Sequence, residues 1–178
     1  ITDQAQYTSK NGITTVTIDA QAIDGGDNGT VAQLVTFHTD IRDTGDGFNA
    51  NAVINLTNVD LLSGGVSDLL SAISLTDITG ISGTDIAITA TDATISIANA
   101  NSLSGATNGV VTATIAESTT AQILDAGDGL NTDGGANAFT IDISNTSADA
   151  GDLASIHAKT SLTAVSYTHL RAHETLVH

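Results

Sequence analysis

The residues best suited to chemistry in this sequence are carboxylates set in glycine-rich turns. Three segments carry them: Asp24, Asp27 and Asn28; Asp43, Asp46 and Asn49; and Asp125, Asp128, Asn131 and Asp133. Asp outnumbers Glu eighteen to two. Asp is both the carboxylate that favours turns and a hard oxygen ligand for calcium. Carboxylates brought together from successive turns would repel one another, and Ca²⁺ would relieve that repulsion. The segments nevertheless depart from known calcium loops. None has Asp at positions 1, 3 and 5 with Gly at 6 and Glu at 12. None matches the Gly-Gly-x-Gly-x-Asp nonapeptide. The competing reading is a solvated turn in which each Asp bonds its own backbone. Calcium is the one cofactor the sequence suggests.

Other chemistry is thin. His169 and His173 stand four apart beside Glu174. On a helix they would share a face and reach one zinc ion. Thr15/Thr17, Thr89/Thr91 and Thr112/Thr114 form Thr-x-Thr pairs, a pattern that could align into a flat face but that any solvated strand also uses. His38 and His157 are isolated and read as surface or packing residues. No Gly-x-Ser-x-Gly, phosphate loop or dinucleotide fingerprint is present. The body has three cations (Lys10, Arg42 and Lys159) and four aromatics (Tyr7, Phe37, Phe48 and Phe139). That is too few to line the groove of a β-helix polysaccharide lyase or hydrolase, although a pair of Asp residues could act as acid and base. No catalytic residue is assigned, and the chain is not expected to be an enzyme.

The elements that must position these residues are short. Alternating apolar and small or polar side chains, the period of a strand, recur at 14–19, 52–57, 85–91, 110–116, 138–144 and 161–165. Ile18, Leu56, Ile88, Ile115, Ile143 and Val165 mark these runs, at steps of 38, 32, 27, 28 and 22 residues. That is an irregular repeat in the range of stacked arrays. Asp43-Thr-Gly-Asp-Gly-Phe-Asn49 returns as Asp125-Ala-Gly-Asp-Gly-Leu-Asn131, 82 residues on. Connectors at 30–41, 66–73, 119–126 and 148–159 have helical character, with Thr30, Ser118 and Ser147 as N-caps. The stretch 86–98 reads instead as two strands, 86–88 and 95–97, turned at Asp92. The expected fold is a β-rich repeat solenoid. Its rungs form a parallel sheet, with short helices or Asp/Gly turns between strands. An antiparallel β-sandwich is the alternative.

Composition narrows the function classes. With 20 acidic and 4 basic residues, the formal net charge of −16 repels nucleic acid and anionic lipid. No Cys means no disulfide framework and no thiolate metal site. No apolar run approaches the ~18 residues of a membrane span, so no membrane insertion is expected. Hydrophobic residues make up 40%, too many for a fully disordered chain.

Two resemblances add to this reading. Val165-Ser-Tyr-Thr-His-Leu-Arg-Ala-His-Glu-Thr175 resembles one translated frame of a sequencing-library adapter. This implies that 165–178 is an artefactual, poorly packed tail on a metagenomic fragment, which would remove His169 and His173 from consideration. The absence of any Met likewise suggests an interior piece of a longer chain. The body resembles the Thr/Ala/Asp-rich tandem-repeat regions of giant secreted and surface proteins of marine bacteria and cyanobacteria. The phrases that carry it are Gly109-Val-Val-Thr-Ala-Thr-Ile-Ala116, Ala138-Phe-Thr-Ile-Asp-Ile-Ser-Asn145 with Ser147-Ala-Asp149, and Asp152-Leu153 through Lys159-Thr160. The resemblance implies an extracellular structural or adhesive segment, 1–164 in about six rungs, with its export signal elsewhere. Its partners would be neighbouring repeats of the full-length chain, and cell-surface glycans or other cells. The readings kept beside it are a calcium-responsive binding module and a fragment of a carbohydrate-active β-helix enzyme.

Overall fold

The structure, a computed structural model, describes residues 14–26, 29–42, 51–81, 84–131, 137–145, 147–162 and 166–167. The chain runs β1 (Thr15–Asp19), β2 (Ala22–Ile23), α1 (Val31–Arg42), β3 (Val53–Thr57), β4 (Leu61–Gly64), α2 (Val66–Ser74), β5 (Ile78–Thr79) and β6 (Ala87–Ala90). It continues through α3 (Ile97–Ala106), β7 (Val111–Thr114), α4 (Thr120–Ile123), β8 (Ala138–Thr140), β9 (Asp142–Ile143), α5 (Ala150–His157) and β10 (Ser166–Tyr167).

These strands make two larger sheets, three-stranded β1-β3-β5 and five-stranded β2-β4-β6-β7-β8, with β10 pairing β9 separately. Every pairing is parallel. The fold is therefore α/β, two all-parallel sheets with helices between strands. Both expectations, the β-solenoid and the antiparallel sandwich, are corrected by this arrangement. The reason lies in the corners. After β1 and β3 the chain turns, at Ala20–Gln21 and again at 58–60, to add a second short strand where the alternation shows only one. Asn58 takes a positive φ of 57° there, a conformation Asn tolerates better than most residues. Ile18 and Leu56 pair within the smaller sheet, whereas Ile88 belongs to the larger one, against Leu62 and Val111.

Register explains the core. Residues Val16, Ile54 and Ile78 face one another across the smaller sheet. Ile23, Leu62, Ile88 and Val111 do so across four strands of the larger one, each almost wholly buried. Helix α1 packs on α2, α2 on α3, and α4 on α5; α1 and α2 lie on β4, and α3 on β7. Branched aliphatics suit both the pleated surface and the helix contacts. Among the described residues Phe139 is fully buried in this core, and Phe37, half-buried, packs against the core.

The helices start where side chains satisfy their orphaned N–H groups. Thr30 and Gln33 exchange bonds at α1, and Thr119 and Gln122 do the same at α4. Asp149, not Ser147, caps α5, and Thr119, not Ser118, caps α4. Helix α3 occupies ground expected to begin as strand. Ser96 caps it through Asn99 N–H, and Ala100, Leu103 and Ser104 are its buried side. Among the described residues no helix is long and apolar enough to cross a membrane.

Candidate functional sites: the Asp–Gly turns and a buried histidine

The third Asp–Gly segment follows α4 directly. Asp125 Oδ1 accepts the N–H groups of Gly127 and Asp128, each at 2.8 Å. These two bonds, Asp128 first, hold the exposed Asp125 carboxyl below its usual range. Gly129 N–H closes the turn on Asp125 O at 3.1 Å, and Leu130 N–H returns to Ile123 O at 2.9 Å. Asn101 of α3 then stitches the turn to the preceding unit. Its amide donates to Gly129 O and accepts Asn131 N–H, both at 2.8 Å. Asp125 and Asp128, with Ile97, Ala121 and Gln122, line an open depression of about 500 Å³.

Asp24 repeats the local chemistry in the first segment. Its Oδ1 accepts Gly26 N–H at 2.9 Å. Gly25 and Gly29 adopt φ of +95° and +87°, which only glycine enters without strain. Of the remaining calcium candidates, Asp27, Asn28, Asp43, Asp46, Asn49 and Asp133 lie outside the described residues. The structure thus brings Asp125 and Asp128 to one depression and ties Asn131 through its backbone to Asn101. Among the described residues no group of three His, Cys, Asp or Glu side chains converges to hold a metal ion. In both described turns a carboxylate oxygen is occupied by the turn's own N–H groups.

A different constellation joins α1 to the turn before β5. Arg42 Nη1 lies 2.8 Å from Asp77 Oδ2 and also donates to Ala52 O at 3.1 Å. His38, one helical turn back, is 7% exposed. Its Nε2 points to the same Asp77 oxygen at 3.7 Å, too far for a hydrogen bond, and has no hydrogen-bond partner among the described residues. Burial first and Arg42 second push the His38 pKa down, and Asp77 partly opposes them. His38 and Arg42 stand four apart on one helix face, which the sequence does carry as a signal. Their carboxylate partner lies 35 residues beyond Arg42 in the chain, which the sequence does not reveal. Arg42 meets one carboxylate here, and His38 lines neither the depression beside Asp125 nor the one beside Ile73 and Ile78. The arrangement ties the end of α1 to the turns that precede β3 and β5.

No protein-family model, no curated protein and no solved structure matches this chain.

Proposed function

We propose that this chain is a structural, adhesive-type segment of a large exported bacterial surface protein, acting as a spacer or stalk outside the cell and performing no catalysis. The observation that supports this most is how polar bonds are shared between successive units. Thr107 Oγ1 donates to Thr84 O at 2.9 Å and also bonds Ile86 O. Thr160 Oγ1 bonds Asn137 O and Phe139 O at the same spacing. Asn145 Oδ1 accepts Thr120 N–H at 2.7 Å. In each case a polar side chain completes the backbone of a segment some two dozen residues away, so these bonds tie successive strands and helices together along the chain. The acidic surface suits a solvated extracellular strut. Copies of the chain joined in tandem should lengthen by a constant increment per copy in small-angle scattering. A maximum dimension that stays fixed as copies are added, or turnover of a polysaccharide by the chain, would overturn the reading.

A calcium-responsive binding module is the second reading. The depression lined by Asp125 and Asp128 favours it, because it brings two exposed Asp side chains to one place and the Asp125 carboxyl is held below its usual range. Millimolar calcium should then raise the melting temperature. An unmoved melt removes this second reading and leaves the first intact.

A further inference from the structure

We propose that His38, Arg42 and Asp77 form a clasp that opens on mild acidification and loosens the three-stranded sheet while the five-stranded sheet stays closed. The geometry is specific. Arg42 grips Asp77 Oδ2 and Ala52 O with the same Nη1. Ala52 immediately precedes β3, and Asp77 immediately precedes β5. Asp77 O also accepts Ile54 N–H at 2.8 Å, the bond that begins the β3–β5 ladder. That ladder has only two registered pairs, Ile54 with Ile78 and Asn55 with Thr79. Holding Asp77 in place therefore holds β5 in place.

His38 is built into this grip with its Nε2 unsatisfied. A neutral imidazole is tolerated beside Arg42. An imidazolium is not, because one carboxylate oxygen would then face two cations and the new charge would sit in a site poor in water. Few other charges are at hand. Asp40 lies two residues on, about 200° round the helix. Asp68, in the first turn of α2, stands beside Gly65. Strands β3, β4 and β5 carry no ionisable side chain. Among the described residues, Asp77 is the carboxylate placed to neutralise a charged His38, and Arg42 already occupies it.

The sign follows from linkage. Burial and Arg42 place the folded-state pKa of His38 below its ordinary 6.5. The unfolded or opened state then binds the proton more tightly. The stabilisation is complete above pH 6.5, declines as pH falls below that value, and is gone once pH passes the folded-state pKa. The five-stranded sheet has no such group among its described residues, so it should not share the decline.

Site-resolved amide exchange at pH 7.5 and 5.5, corrected for intrinsic exchange, tests this in the whole chain and in His38→Gln. In the parent chain, protection at Ile54, Ile78 and the α1 amides should fall several-fold on acidification relative to Ile88 and Ile115. In His38→Gln this differential loss should vanish; the other histidines are present in both chains and cancel. The His38 imidazole should titrate below 6.5 by NMR. Equal loss in both sheets, equal differential loss in His38→Gln, or titration at or above 6.5 would each overturn the clasp. If His38→Gln does not fold, the parent's titration and its sheet-resolved protection decide the matter.

Discussion

Asp92 caps a helix that ended eighteen residues before it. Its Oδ2 accepts Val66 N–H, at the start of α2, at 2.6 Å across 26 positions of sequence. Gly65, the residue at the cap position, has no side chain to offer, so the following unit supplies one. Asp92→Ala should lower stability by about 1 kcal/mol, the usual effect of losing a side-chain cap. Chemical denaturation checks it. A loss confined to α2 in amide exchange would show that the cap acts on the preceding unit.

Two glycines should respond to alanine in opposite directions. Gly105, within α3, has open space where a Cβ would stand, so Gly105→Ala should stabilise by ~0.5–1 kcal/mol through helix propensity and unfolded-state entropy. A Cβ on Gly109 would overlap the carbonyl oxygens of Ile86 and Asp85 on the neighbouring unit. Gly109→Ala should destabilise by about 1–3 kcal/mol as β7 is forced off β6. Melting the two variants side by side tests both signs.

Asn137 is 2% exposed and bonds two units at once. Its Oδ1 accepts Val111 N–H at 2.9 Å, and its Nδ2 donates to Ser104 Oγ at 2.7 Å. Asn137→Ala leaves the Val111 N–H buried without that acceptor and should cost about 1–3 kcal/mol. Phe139→Ala, two residues on, should cost about 3–5 kcal/mol by opening a cavity among aliphatics. The sites are close, so the double variant should depart from the sum of the singles. Denaturant titrations of all three close the cycle.

The Asp125 turn should be acid-sensitive. Its carboxyl is held below the ordinary 3.8 by the N–H groups of Asp128 and Gly127. A depressed carboxylate contributes stability above its unfolded value, and that contribution is lost as pH falls through the folded one. The difference in melting temperature between the parent and Asp125→Ala should therefore be present near neutrality and shrink below pH 3.8. A difference that does not change with pH would assign the effect to packing.

The local grammar of this chain was readable and its pairing was not. Helices α1, α2, α4 and α5 announce themselves by short helical runs, with the cap rightly placed at Thr30 but two residues and one residue early at Ser147 and Ser118. The Asp-x-Gly turns at Asp24 and Asp125 follow from side-chain chemistry that acts over two or three residues. Helix α3 stayed hidden because its run of Asn, Ser and Gly has weak helix preference, and it depends on the Ser96 cap and the burial of Ala100 and Leu103. The division into two sheets stayed hidden because β2, β5 and β9 are two residues long, too short to display alternation. The His38–Asp77 approach spans 39 positions with no periodic sign of it.

Both larger sheets grow strictly in chain order, β1-β3-β5 and β2-β4-β6-β7-β8. Among the described strands, no later one wedges between two earlier ones. A nascent chain leaving a ribosome, or threading a translocation pore from its N-terminus, finds each docking site already assembled when the next segment arrives. Registered strand partners stand a few dozen positions apart, so each parallel pairing must close a loop of that length before it forms. An interrupted synthesis would leave a shorter version of the same object, ending at a strand whose next partner has not yet arrived.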